Sequence, residues 1–309
     1  MALIRSLPWV QAITEGRRRT PILLTYVIGI LVAVFGVQII IGAGLRLATG
    51  TAEEMTSFTS QVVEALTDVW PIVVIFLWVA FVEKRPVSSL GFRDRSGWLK
   101  LLLGFILGGA LIALAAAPAM VSGALVTGAG SPTSVQGAAA LGIVVATVPI
   151  WLIQGSSEEI VFRGFLLQRH LFSWPSWLAI VFLAALFAFV HPGGNLLGKL
   201  NITLFGVLAA LIVLQQGSLW VAMGVHAGWN FVQGNVLGLA VSGEGRDYSI
   251  FRFVSTDGAD GITSGGEFGT ETSYWATIVL LISIGVAWAL LRRRLRAPRP
   301  APADELSPV

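Results

Sequence analysis

Seven polar residues stand out within apolar stretches of the sequence: Glu158, Glu159, Arg163, His191, Lys199, His226 and Asn230. An ionisable side chain at the centre of a membrane helix costs at least about 2.5–3.5 kcal/mol, so each needs a partner or a function. Glu158 and Glu159 are adjacent, and on a helix they point about 100° apart, which gives them different roles. Glu159 and Arg163 are four residues apart with the acid first, the better order for an ion pair on one helix face. That pairing leaves Glu158 as the free carboxylate, suited to general base or acid chemistry. His226 and Asn230 are also four apart. Their imidazole and carboxamide face one direction and can both donate to one oxygen, as a developing oxyanion requires.

Counting along the chain brings His191 to Glu158. Trp174-Pro175-Ser176-Trp177 is the natural turn, because proline disfavours helix at the residue before it. Glu158 to Trp174 and Pro175 to His191 are both 16 residues. At about 1.5 Å per residue, both side chains lie about 24 Å from the turn and meet on an antiparallel helix pair. The turn end, with Arg163, Gln168, Arg169 and His170, is expected to protrude to the cytoplasmic interface, and Lys199 to snorkel to the outer one. His191 precedes Pro192-Gly193-Gly194, which reads as an outer loop. A site inside the membrane therefore requires the fifth span to end within protein.

Membrane helices must hold these groups. Of 309 residues, 55% are hydrophobic and 12% charged, against about 25% charged in an ordinary soluble domain. Such a chain would expose more nonpolar surface than a soluble monomer tolerates. Eight stretches approach the about 20 apolar residues needed to cross a bilayer: Thr20 to Leu45, Val62 to Val82, Trp98 to Leu125, Ala138 to Gly155 and beyond, Trp174 to His191, Leu196 to Leu214, Leu219 to Leu239 and Tyr274 to Leu291. The expected fold is all-α, a polytopic transmembrane helical bundle of about eight spans. Sixteen of the 20 Lys and Arg residues fall on one side of it, so both termini are expected to be cytoplasmic. The basic residues cluster beside spans, with no aromatic-interleaved basic surface, and nucleic acid is excluded as a partner. Cysteine is absent, which removes disulfides, thiolate metal sites and cysteine nucleophiles.

The chain divides into a cytoplasmic N-terminal segment (1–19), three spans (20–137), a core of four spans (138–240), an acidic, Gly-rich extracytoplasmic loop (241–273), a last span (274–296) and a Pro-rich tail (297–309). The loop is expected to be mobile, since few apolar residues offset its ordering entropy, and the tail disordered. The N-terminus lacks a signal-peptide cleavage pattern, so the first span reads as an uncleaved anchor. No strong internal repeat is present, which weakens a transporter reading.

Glu158-Glu159-Ile160-Val161-Phe162-Arg163, Phe187-Ala188-Phe189-Val190-His191 and His226-Ala227-Gly228-Trp229-Asn230 resemble, in order, the motifs EExxxR, FxxxH and HxxxN of the CPBP intramembrane proteases. These include CAAX prenyl endopeptidases and bacteriocin-processing and Abi-type members. The resemblance covers about Ala138 to Gly238. It implies a helical bundle around a polar cavity and an endopeptidase of protein processing, in which Glu158 with His191 activates the hydrolytic water. His226 and Asn230 would support the oxyanion, while Glu159 and Arg163 would hold the site in shape. The family is often labelled metalloprotease, yet the HExxH zinc helix is absent. No cofactor is required on this reading; if zinc is bound, Glu158, His191 and His226 are the ligands.

The expectation is therefore a multi-pass protein of the inner (plasma) membrane whose partners are the lipid bilayer and a hydrophobic peptide or membrane-protein substrate. The alternatives are a non-catalytic membrane scaffold or bacteriocin-immunity protein, and a proton-coupled transporter. On the plainer readings, Glu158 reaches interfacial water, His191 caps a helix end, and His226 with Asn230 is a packing pair. Ser156 and Ser157 lack the Gly-x-Ser-x-Gly elbow of a serine nucleophile.

Overall fold

The computed structural model describes residues 2–50, 56–191 and 193–296. Eight helices dominate it, here numbered α1 (Ile22–Thr49), α2 (Phe58–Glu83), α3 (Gly97–Val121), α4 (Gly137–Ser173), α5 (Ser176–Val190), α6 (Leu196–Gln216), α7 (residues 220–236) and α8 (Tyr274–Arg296). They coincide with the eight apolar stretches of the sequence, and the protein is a polytopic helical bundle. Six are long and apolar enough to cross a membrane, among the described residues; α5 and α7 are shorter. At about 1.5 Å per residue, 15 residues of α5 reach about 22 Å, short of a bilayer core of about 30 Å. The outward face of α3 exposes Trp98, Leu99, Leu102, Leu103 and Ile106, side chains that only a bilayer would favour.

Paired glycines set the closest helix contact. A Cβ on Gly108 would stand 1.9 Å from the Val225 carbonyl oxygen, and one on Gly228 would stand 1.9 Å from that of Phe105. Gly104 and Gly224 are equally tight, with 2.4 Å and 2.1 Å to facing carbonyl oxygens. Each helix thus carries a G-x-x-x-G stripe, Gly104/Gly108 on α3 and Gly224/Gly228 on α7, that lets the backbones touch. Gly155 of α4 does the same toward α7, where a Cβ would stand 2.8 Å from the Ala227 nitrogen. Glycine spacing therefore presses α7 between α3 and α4, one turn from His226 and Asn230.

At the α4–α5 turn Ser173, Pro175 and Trp177 are exposed and Arg169 is half-buried, but the other polar groups before the turn are buried. Arg163 is 3% exposed, and Gln168 and His170 are wholly buried. Arg85 ion-pairs with Glu83 at 2.6 Å and donates to Gln168 at 2.8 Å and to Ser89 at 2.7 Å. Gln168 in turn donates to the carbonyls of Trp9 (2.6 Å) and Ser89 (2.8 Å), and His170 bonds the Leu166 carbonyl (2.7 Å) and the Tyr26 hydroxyl (2.5 Å). The N-terminal residues that close over this end bury Trp9, Val10 and Ile13. Polar groups expected to find water find one another instead, under an apolar cover.

Residues 241–273, expected to be mobile, are packed. Two short strand pairs tie them to the α3–α4 connection: Leu125–Thr127 runs antiparallel to Phe253–Ser255, and Val135–Gln136 parallel to Tyr248–Ser249. Arg246, 1% exposed, donates to Glu244 at 3.1 Å and to Glu64 of α2 at 3.3 Å, and its guanidinium lies 5.1 Å from the Trp151 ring centroid. Asn201 of α6 donates to the carbonyls of Glu271 and Ser273, both at 2.9 Å. Composition suggested mobility because the stabilising contacts are polar and reach distant helices. The tail 297–309 and Pro192 lie outside the described residues.

Candidate active site

Glu158, His191, His226 and Asn230 line one cavity of about 190 Å³ between α2, α4, α5, α6, α7 and the 241–273 segment. The 16-residue count holds: His191 Nε2 stands 3.5 Å from Glu158 Oε2. α5 ends at Val190, and the His191 that follows it shares the cavity wall with Ser242, Glu244 and Glu271, while Phe189 and Leu196 on either side are exposed.

Each imidazole has one nitrogen committed. A carbonyl and a carboxylate can only accept, so His191 donates Nδ1–H to the Phe187 carbonyl (2.7 Å) and His226 donates Nδ1–H to Glu159 Oε1 (3.0 Å). Both Nε2 atoms are thereby turned to Glu158 Oε2, at 3.5 Å from His191 and 3.8 Å from His226. With neutral rings these are three acceptors around one point, and a water molecule there can donate to two of them, Glu158 Oε2 and His191 Nε2 being the closer pair.

Glu159 is wholly buried and accepts from Arg163 Nη1 at 2.7 Å, the ion pair expected from the four-residue spacing. Arg163 also lies 4.4 Å from the Phe187 ring centroid. The Glu159 oxygen that binds Arg163 also binds His226 and sets its tautomer. Lys199 does not snorkel: its ammonium bonds the carbonyls of Ala188 and His191 and caps the end of α5.

Gln154 was missed in the sequence. It donates Nε2–H to Glu158 Oε1 at 2.7 Å and accepts from Asn230 Nδ2 at 2.9 Å. One amide thus holds the two groups that face the cavity from α4 and α7, leaving Glu158 Oε2 toward the imidazoles and one Asn230 N–H free. Its only sequence signal is the i, i+4 spacing to Glu158, which a neutral residue does not advertise.

Zinc bound to N and O ligands at about 2.0–2.1 Å spaces neighbouring donors about 3.4 Å apart. Glu158 Oε2 stands 3.5 and 3.8 Å from the two imidazole Nε2 atoms, and its other oxygen is held by Gln154.

Residues 138–232, which carry all three clusters, match the family model of type II CAAX prenyl endopeptidases, Rce1-like. The match covers less than a third of the 309 residues and shows a likeness of this segment to that family. The uncharacterized protein YyaK of Bacillus subtilis is 25% identical over 165 residues, a match spanning 50% of this chain and 54% of that relative. No solved structure matches the chain. The Rce1-like segment ends near Val232, so the 241–273 segment lies outside it.

Proposed function

We propose that the protein is an intramembrane endopeptidase that hydrolyses a peptide bond of a hydrophobic or membrane-associated substrate without a metal ion. The observation that carries this reading is the convergence of Glu158 Oε2 and two imidazole Nε2 atoms in one cavity, beside the Asn230 amide. Water held by Glu158 and His191 gives one proton to Glu158 as its oxygen attacks the scissile carbonyl carbon. The oxyanion formed accepts the free N–H of Asn230 and, when His226 is protonated, its Nε2–H. Glu159 stabilises that imidazolium from the far side of the ring. As the tetrahedral species collapses, Glu158 returns the proton to the leaving nitrogen, so a carboxylic acid and an amine result and the enzyme is restored. The Arg clusters favour cytoplasmic termini and a plasma-membrane location.

Mass spectrometry of the membrane peptidome tests the reading with wild type, Glu158→Ala and His191→Ala. Peptides present only with wild type are expected. Identical peptidomes, with all three proteins stably inserted, overturn it. A Glu158→Gln variant with full biological function would point instead to a scaffold or immunity protein.

A further inference from the structure

A second cavity, of about 160 Å³, lies on the other side of Glu158 and His191. It shares only those two residues with the first. Its apolar walls are Val34 of α1, Pro71 of α2, Val161 and Phe162 of α4, and Val190 of α5. Asp68 and Ser157 add polar atoms next to Glu158. The helix arrangement explains the opening. α1 and α5 start at the same end of the bundle, where Tyr26 meets Phe182 edge-on at 6.2 Å between ring centroids and also bonds His170 near the α4–α5 turn. They run in the same direction from there. Eight residues further along each helix, about 12 Å, Val34 and Val190 are walls of a cavity. The neighbouring Phe35 and Phe189 are exposed, Phe189 at 82%, so the mouth of the seam faces lipid. The first cavity, by contrast, has polar and charged walls that include Ser242, Glu244, Arg246 and Glu271.

We propose that a substrate segment embedded in the bilayer enters sideways through the seam between α1 and α5, and that the second cavity seats one apolar side chain of the residue flanking the scissile bond. The inference rests on the endopeptidase reading and adds to it a substrate class and an orientation. The apolar flank of the bond lies toward Val34 and Val190, and the polar flank lies in the first cavity. A cavity of about 150 Å³ accepts a benzene molecule, so Leu, Ile and Phe fit and Trp does not. Backbone unwound inside a membrane needs polar partners, and Asp68 and Ser157 supply them where the chain passes toward Glu158.

The test uses full-length protein in phosphatidylcholine vesicles with a degenerate library of hydrophobic peptides, product termini being read by mass spectrometry. Wild type is expected to cut beside Leu, Ile and Phe. Val34→Phe, which narrows the cavity, is expected to shift the preference toward Gly and Ala by about tenfold or more. Val190→Ala, which widens it, is expected to shift the preference toward bulkier residues. Shifts of opposite sign cannot arise from lost folding. Glu158-dependent cleavage with the same profile in all three proteins overturns the subsite and leaves the endopeptidase reading standing. No Glu158-dependent cleavage by wild type overturns that reading itself.

Discussion

Replacing Glu159 tests whether one buried carboxylate joins the stability of the bundle to the state of its site. Glu159 is wholly buried and Arg163 is 3% exposed, at 2.7 Å. Removing one partner of a buried pair leaves the other charge uncompensated and costs about 3–5 kcal/mol. Against total stabilities of about 5–15 kcal/mol, Glu159→Ala is expected to remove about a fifth or more. Arg163→Ala is milder, about 1.5–3 kcal/mol for a lost charge-assisted bond, since His226 still donates to Glu159 at 3.0 Å. The double variant removes the stranded charge, so its loss is expected to fall short of the sum of the single losses by about 1–3 kcal/mol. Glu159→Gln retains an acceptor for His226 but strands an amide N–H where Glu159 Oε2 has no partner, and falls between wild type and Glu159→Ala. The assay is denaturant unfolding of the purified protein in detergent, followed by the fluorescence of its 11 tryptophans. Proteolytic rate on folded protein provides the second readout, because Glu159→Ala also frees the His226 ring and a misplacement of about 1 Å lowers rate about 100-fold. Stability of Glu159→Ala within about 1 kcal/mol of wild type, or a double variant worse than the sum of the singles, would refute the reasoning.

Gln154→Leu removes the bonds to Glu158 and Asn230 while keeping side-chain bulk. Catalytic rate is expected to fall about 10- to 100-fold, from a lost bond to a charged group of about 1.5–3 kcal/mol, with KM nearly unchanged; equal loss of unfolding stability and rate would make its role purely structural. In the 241–273 segment, burial raises Glu271 above the ordinary glutamate value, opposed by hydrogen bonds from Ser242 and by the nearby His191 and His226. Its packing contribution is therefore fully present below the ordinary value and lost as pH rises through the raised one. Limited proteolysis within 241–273 is expected to quicken across that rise, and Glu271→Gln to flatten the profile. Cleavage at full rate in the presence of a strong chelator is expected, whereas loss restored by added zinc would overturn the metal-free mechanism.

Much of the site was legible because a helix converts sequence spacing into direction. The four-residue intervals from Glu159 to Arg163 and from His226 to Asn230 place each pair on one face, and equal arms about Trp174-Pro175 bring His191 to Glu158. Apolar length likewise located eight helices, since a bilayer admits little else. The bond from Glu159 to His226 spans 67 residues and joins two motifs that local spacing treats as separate. Gln154 is neutral and draws attention only when Glu158 and Asn230 flank it in space. The glycines of α3 and α7 were present in the sequence as two G-x-x-x-G patterns, but which helices they joined was decided by packing.

By itself, then, the sequence determined that the chain is a polytopic membrane protein and which few polar side chains stand within its apolar helices, because both follow from hydrophobic length and helical period. Only the tertiary structure decided that residues of the acidic 241–273 segment line the site, that Gln168 and His170 before the α4–α5 turn are buried, and that a second cavity lies beside Val34 and Val190. Those outcomes depend on which distant groups satisfy one another, as Arg246 does with Glu64 across 182 residues. No local composition or period encodes such a pairing.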